Sequence, residues 1–218
     1  MDPAFWNDRW QRGETGFHQP EVHDLLATHW PSLGLAAGSE VFVPLCGKSL
    51  DMAWLASRGH RIVGVELSEI AVLSFFAERG LAPAAETTDG LTVQCAGTYK
   101  IWCGDVFDLP REAAARAEAA YDRASLVAFP PPEQPRYASK LAELVPAAAP
   151  ILLVGLAFDS SEMAGPPFST PAAQIERLFA ATYRIRVVET RDGLERSQNL
   201  RKRGLTALEE TLYVLIRK

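Results

Sequence analysis

Residues Val41 to Glu66 read VFVPLCGKSLDMAWLASRGHRIVGVE. Three apolar residues, Val41, Phe42 and Val43, open the run, which breaks at Pro44-Leu45-Cys46-Gly47-Lys48. A helix-period segment with Leu50, Met52, Ala53, Leu55 and Ala56 follows and stops at Arg58-Gly59. A second apolar run, Ile62 to Val65, ends on a carboxylate, Glu66. The pattern predicts strand, tight loop, helix and strand, a βαβ unit of the nucleotide-binding type. The acid falls about 20 residues after the loop, where such folds place the group that binds ribose hydroxyls. The rest of the chain is expected to build a sheet around this unit and a lid over it.

Upstream, Phe5, Trp6, Trp10 and Phe17 put large aromatics into the first residues, and Trp6 and Trp10, four apart, share a helical face. Asp2-Pro3 suits a helix cap and first turn. So much aromatic surface must dock, either as a helix packed on the core or as a lid over a ligand pocket, with Gly13 and Gly16 as hinges. Glu21 to Trp30 reads as a helix ended by Pro31. Downstream, Ser68 is expected to cap a helix running to Gly80, with Ile70, Leu73, Phe76 and Ala77 as its buried stripe. Leu81 to Gly90 reads as loop, and Leu91 to Ala96 with Tyr99 to Cys103 as a hairpin turning at Gly97-Thr98. Arg111 to Ala119 is helix-prone, and Ala120 to Arg123 ends another strand. Pro130-Pro131-Pro132 precedes a helix over Gln134 to Leu144. Ile151 to Phe158 reads as a buried central strand, followed by a long loop to Pro171 and a helix through Ala181. Tyr183 to Thr190 and Thr211 to Ile216 are the last strands, and the long gap between them suggests function or mobility. The layout is one α/β domain: about seven strands, mostly parallel, with a terminal antiparallel hairpin and helices on both faces.

Composition narrows the function classes. The 218 residues suffice for one well-buried domain, and a net charge of -5 argues against a nucleic-acid surface. The basic run Arg196 to Arg203 fits a solvated loop. The N-terminus lacks the basic-then-apolar order of a secretory signal, and no apolar run approaches the roughly 18 residues that span a membrane. Cys46, Cys95 and Cys103 show no metal-ligand spacing, so free thiols in a reducing cytoplasm, and no metal, are expected.

In an open α/β sheet the ligand lies beyond the carboxyl ends of the strands. Pro44 to Lys48, Glu66, Gly104 to Val106 and Asp122-Arg123 all end strands with polar or glycine residues. The first loop holds one glycine, Gly47, where a dinucleotide fingerprint needs several, and Phe42 stands where a P-loop wants glycine. A cofactor with ribose but no phosphate fits better, and S-adenosylmethionine is such a molecule. Glu66 would accept from both ribose hydroxyls or is simply a strand-end acid. Asp105 would hold an adenine amino group or a turn. Arg123 would contact an anionic substrate or pair structurally. No histidine lies beside Cys46 in the sequence, so Cys46 reads as a packed residue rather than a nucleophile. His18, His23, His29 and His60 show no ligand spacing.

Taken together these blocks resemble the thiopurine S-methyltransferase family, its bacterial members most of all. The resemblance runs through Trp6-Asn7-Asp8-Arg9-Trp10 to Gly16-Phe17-His18-Gln19, then Pro44-Leu45-Cys46-Gly47-Lys48, Gly59-His60 and Val63-Gly64-Val65-Glu66-Leu67-Ser68. It continues in Phe107-Asp108-Leu109-Pro110, Asp122-Arg123-Ala124-Ser125-Leu126-Val127-Ala128 and Gly165-Pro166-Pro167-Phe168. It implies a Rossmann-like class I methyltransferase in a single domain over 1–218, with a helical lid over 1–30 and a core over 40–218. By resemblance, Trp6, Trp10, Leu45, Gly47, Glu66, Leu67, Asp105, Val106 and Arg123 hold S-adenosyl-L-methionine and its product S-adenosyl-L-homocysteine. Phe17, Arg123, Pro166, Phe168 and Arg196 line the acceptor side, although Leu194 to Arg203 departs from the vertebrate pattern. The implied reaction is methyl transfer to a small aromatic or heterocyclic thiol, or to selenium or tellurium species, by a cytoplasmic monomer without nucleic-acid or membrane partners. No obligatory catalytic base is expected, and Arg123 would favour the thiolate. Another small-molecule acceptor, or a non-catalytic nucleoside-binding module, are the alternative expectations.

Overall fold

Apolar runs too short to fold alone become strands here by pairing side by side. A computed structural model describes residues 3–218. In chain order the elements are α1 (Pro3–Gln11), α2 (Asp24–His29), β1 (Glu40–Val43), α3 (Leu50–Ser57), β2 (Arg61–Glu66), α4 (Glu69–Ala77), β3 (Ala84–Thr88) and β4 (Leu91–Ala96). They continue as β5 (Tyr99–Cys103), β6 (Ala117–Asp122), α5 (Gln134–Leu144), β7 (Ile151–Ala157), α6 (Ala172–Phe179), β8 (Tyr183–Asp192), α7 (Gln198–Lys202) and β9 (Glu209–Arg217). The strand order is β3-β4-β5-β2-β1-β6-β7-β9-β8. The chain divides into two compact units, one running to Ala120 with Glu143–Pro146, the other Tyr121–Ala142 with Ala147–Lys218.

In the first unit, β1 pairs parallel with β2 and β6, and β2 parallel with β5. The register sets Val43 beside Gly64 and Glu66 beside Cys103, so the strand tips carrying the singled-out residues align. Val41, Phe42, Ile62, Met52, Leu55 and Phe75 are fully or almost fully buried, which is where the burial energy of this unit lies. Ser49 caps α3 by accepting the Asp51 amide at 3.1 Å, and the buried Asp51 carboxylate accepts the His23 amide at 2.8 Å ahead of α2. In the second unit, β7 pairs antiparallel with β9 and β9 with β8, as the expected terminal hairpin requires.

Several local expectations change. Among the described residues nine strands form rather than about seven, and antiparallel pairing occurs at both ends of the order. Residues 84–88, expected as loop, form β3, an edge strand whose five residues are all exposed, so no burial pattern marks it. Arg111 to Ala119 is not one helix: a 3-10 turn covers Arg111–Ala114 and β6 begins at Ala117. The helix expected from Glu21 starts at Asp24, and Pro31 sits inside a following 3-10 turn, Trp30–Leu33, where its missing N–H costs nothing. In α4 the buried residues are Ala71, Val72, Phe75 and Phe76, while Ile70 and Leu73 are exposed. The helix is apolar almost all round, so spacing alone could not choose the face. The Phe75 and Phe76 rings choose it by packing edge-on against Tyr99 of β5. Ser68 stands at the N-cap, but its hydroxyl makes no capping bond among the described residues. The Asp2 cap lies outside the described residues.

Candidate functional site

The loop between β1 and α3 owes its shape to two left-handed residues, Leu45 at φ 43 and Gly47 at φ 51. A non-glycine residue at positive φ is strained and persists only where neighbours hold it. Here the Cys46 amide donates to the Val65 carbonyl at 3.0 Å, and the Gly47 amide donates to Glu66 Oε2 at 2.8 Å. Glu66, at the tip of β2 and 6% exposed, receives the Ser68 amide on Oε1 at 2.9 Å and the Leu67 amide as well. Burial pushes the Glu66 carboxyl up, and these amides pull it back toward the charged form. Each oxygen has further lone-pair capacity, as a pair of vicinal hydroxyls requires.

The remaining loop side chains point to structural roles. Lys48 Nζ lies 2.5 Å from Glu78 at the end of α4, so its charge is engaged there. The buried Cys46 thiol is pushed well up by burial and by the neighbouring Glu66 charge, which keeps it protonated and inert. Its Sγ would lie 2.8 Å from a Cβ at Gly64, so glycine in β2 makes room for it. The packed reading of Cys46 therefore holds.

Beside Glu66, the Gly104 amide donates to the Glu66 carbonyl at 2.9 Å. Asp105 then accepts the Phe107 amide on Oδ1 at 3.0 Å, capping a 3-10 turn that buries Val106. One oxygen of Asp105 thus holds the turn. Sequence reasoning posed turn and adenine partner as alternatives, but a carboxylate has capacity for both.

The N-terminal aromatics belong to the same unit. Trp10 is buried, and its ring lies 3.4 Å from where a Gly47 Cβ would stand. Phe17 packs edge-on against both Trp6 and Trp10, at 5.5 and 5.4 Å between centroids. Helix α1 also lies against α4. Among the described residues, Trp6 Nε1 and Arg9 Nε are buried without a hydrogen-bond partner. Trp6, Trp10, Phe17, Leu45, Gly47, Glu66, Leu67, Asp105 and Val106 are all held in this one unit. An acidic acceptor, an unpartnered indole donor and an aromatic wall around glycine-poor backbone suit a ribose-bearing cation without phosphates. The donor set fits S-adenosylmethionine.

The second unit carries the other expected residues. Arg123 follows the buried Asp122 at the end of β6 and is half-buried, and Ala124 is left-handed at φ 65. Asp122 accepts the Tyr137 hydroxyl at 2.6 Å and the Leu126 amide at 3.3 Å. The Phe168 amide donates to the Val127 carbonyl at 2.6 Å, which joins the Pro166–Phe168 loop to the turn that follows Arg123. Gly165 is at φ 89, and a Cβ there would stand 2.6 Å from the Phe168 ring. Arg196 is exposed in a turn, and Arg203 Nη1 donates to the Pro166 carbonyl at 2.7 Å. The long gap between the last strands folds over its own small core of Met163, Leu194, Leu200, Leu205 and Leu208, with Glu162 accepting the Thr206 amide and hydroxyl. Tyr137 and Arg203 escaped the sequence reading.

The family model described as thiopurine S-methyltransferase matches residues 1–218. A thiopurine S-methyltransferase of Methylococcus capsulatus is 48% identical, with 99% of this chain and 97% of that protein covered. One of Pseudomonas fluorescens is 44% identical, with 98% of each covered. Among solved structures, a Burkholderia thailandensis 1,6-didemethyltoxoflavin-N1-methyltransferase with S-adenosylhomocysteine bound superposes with a TM-score of 0.66 at 17% identity. That match covers 98% of this chain and 87% of the other. A Synechocystis magnesium protoporphyrin IX methyltransferase with S-adenosylmethionine bound gives 0.65 at 15% identity, with 98% and 97% covered. These two likenesses establish the fold.

Proposed function

The chain belongs to the thiopurine S-methyltransferase family of S-adenosylmethionine-dependent methyltransferases, and from that premise we propose that it methylates the thiolate of a small aromatic or heterocyclic thiol. The observation that carries the cofactor half is Glu66, buried and fixed by the Gly47, Leu67 and Ser68 amides under the aromatic wall of Trp10. Trp6, Trp10, Leu45, Gly47, Glu66, Leu67, Asp105, Val106 and Arg123 would hold S-adenosylmethionine.

When bound, that cofactor supplies a methyl group already activated by a positively charged sulfur. The protein's task is then positioning and exclusion of water. Glu66 anchors by hydrogen bonding. Trp10 presents a ring face suited to a cation. Trp6, Trp10 and Phe17 pack together and keep water from the strand tips. Arg123 favours the deprotonated acceptor by placing positive charge near it. Phe17, Pro166, Phe168 and Arg196 complete the acceptor side in this reading, with Arg203 holding Pro166. No side chain is assigned as an obligatory base, because a thiolate needs none.

Reduced selenium and tellurium species share the soft nucleophilicity of a thiolate and fall within the same reading, as does action as a monomer in the cytoplasm. No helix among the described residues is long and apolar enough to cross a membrane. The test pairs calorimetry with S-adenosylhomocysteine and a turnover screen of 6-mercaptopurine, thiophenol, phenol, aniline, and selenite or tellurite under reducing conditions. Binding of the product cofactor with turnover of the thiols is expected. Turnover of the phenol or aniline alone would overturn the acceptor assignment, and absence of S-adenosylhomocysteine binding would overturn the cofactor assignment.

A further inference from the structure

The turn after β6 carries more hydrogen bonding than a chain reversal needs. Asp122 is fully buried, and its carboxylate collects the Tyr137 hydroxyl, the Leu126 amide and Ser125. It therefore spans the turn from before Arg123 to beyond Ala124. Ala124, left-handed at φ 65, is a strained residue of the kind that costs about 1–3 kcal/mol and persists only where its surroundings hold it. Tyr137 reaches in from α5, fully buried, and stacks on Phe129 with centroids 4.8 Å apart. Gln134, also fully buried, donates to the Phe129 carbonyl at 3.1 Å and accepts from Gln174 of α6 at 2.7 Å. The same turn receives the Phe168 amide on Val127.

A buried carboxylate is expensive, and apolar residues of similar volume would stabilise a core as well or better. What this one secures is geometry. We propose that Asp122 and Tyr137 are positioning residues, whose hydrogen bond holds the strained turn that presents Arg123 and steadies the Pro166–Phe168 loop for the acceptor. The inference rests on the thiol-transfer reading, in which Arg123 serves the acceptor. Burial pushes the Asp122 carboxyl up to about 6, so the donors around it are what keep it charged near neutral pH.

Tyr137→Phe removes one hydroxyl and leaves the ring stack, so it isolates the bond. With 6-mercaptopurine as acceptor, its kcat/KM is expected to fall about tenfold, the scale of one hydrogen bond to a charged group. In an Arg123→Ala background the same substitution is expected to cost less than about twofold, because the group it positions is gone. Equal losses in both backgrounds would mark Tyr137 as merely structural and overturn the proposal, as would an unchanged kcat/KM in Tyr137→Phe. If Tyr137→Phe does not fold, Ser125→Ala, which removes another donor to the same carboxylate, is read in the same cycle. A loss in Arg123→Ala without one in Tyr137→Phe overturns the positioning role alone. An Arg123→Ala enzyme with wild-type kcat/KM overturns both that role and the assignment of Arg123 to the acceptor.

Discussion

At the tip of β2, Glu66 is held by backbone amides, those of Gly47, Leu67 and Ser68. At the tip of β6, Asp122 is held partly by side chains, with the Tyr137 hydroxyl at 2.6 Å. The segments beyond it are tied by contacts between residues 37 to 44 positions apart: Arg203 to Pro166, Gln174 to Gln134 and Thr206 to Glu162. The first arrangement depends on backbone shape, so a short motif can specify it, and side chains around it can drift without loss. The second depends on which side chains meet, so each member is exposed to single substitutions. The cradle of Glu66 should therefore fail only when that carboxylate or its backbone is touched. The acceptor side should fail piecemeal.

The strongest way to break that contrast is Glu66→Ala. It removes the acceptor from three amides and the anchor proposed for the ribose. Hydrogen bonds to a charged group contribute about 1.5–3 kcal/mol each, so S-adenosylhomocysteine affinity should fall at least about a hundredfold by calorimetry. A loss smaller than tenfold would remove Glu66 from its central place. Next comes Leu205→Ala in the small core over residues 192–208. A buried leucine truncated to alanine costs about 2–5 kcal/mol, here borne by that core rather than by the sheet. Hydrogen exchange should rise across 192–208, and the acceptor KM should rise severalfold with S-adenosylhomocysteine affinity unchanged. Equal losses on both sides would mean that the segment does not serve the acceptor separately.

Smaller again is Gly64→Ala. The new Cβ would meet Cys46 Sγ at 2.8 Å, and overpacking of this kind costs about 1–3 kcal/mol. The melting temperature should drop by a few degrees, about 2–4 °C per kcal/mol for a chain of this size. Adding Cys46→Ala removes the clash and should restore it. Cys46→Ala by itself should keep turnover near the wild-type rate, since the thiol stays protonated. Abolished turnover in that variant would bring back the nucleophile reading that burial argues against.

The same contrast explains what could be read in the chain. The apolar runs of β1 and β2, the glycine-poor loop and the acid at Glu66 lie within Val41 to Glu66, and backbone shape follows from them locally. The hairpin at Gly97-Thr98 was legible for the same reason. The edge strand Ala84–Thr88 was not, because an edge strand with every residue exposed carries no hydrophobic alternation. The buried face of α4 was misread because nearly every position is apolar and the choice lies with Tyr99, a partner on another element. Asp122 was visible as a strand-end acid, but nothing in the chain says which hydroxyl reaches it. The apolar residues of the small core, from Met163 to Leu208, are too scattered to show a period. Nothing in the basic run Arg196 to Arg203 says that Arg203 reaches the Pro166 carbonyl.

The smallest expected effect tests a pair in the first unit where a side chain does carry the contact. His60 Nε2 accepts the Trp30 Nε1–H at 2.9 Å, which requires that nitrogen to be unprotonated. Burial pulls the His60 imidazole below its ordinary 6.5, so the unfolded chain binds this proton more readily than the folded one. The bond's contribution is therefore complete above about pH 6.5 and is lost as pH falls through the folded value. His60→Gln keeps an oxygen for the Trp30 N–H and cannot titrate. Denaturant midpoints at pH 7.5 and 5.5 should show the wild type losing more stability than this variant, by less than about 1 kcal/mol, the scale of one neutral hydrogen bond. Glu66 and Asp122 have carboxyls raised by burial, so their folded forms hold protons more tightly and their contributions fall as pH rises, opposite in sign. Both carboxylates are present in both proteins, so they cancel in the difference and leave His60 alone. An equal fall in wild type and His60→Gln would show that the Trp30–His60 bond does not respond to pH.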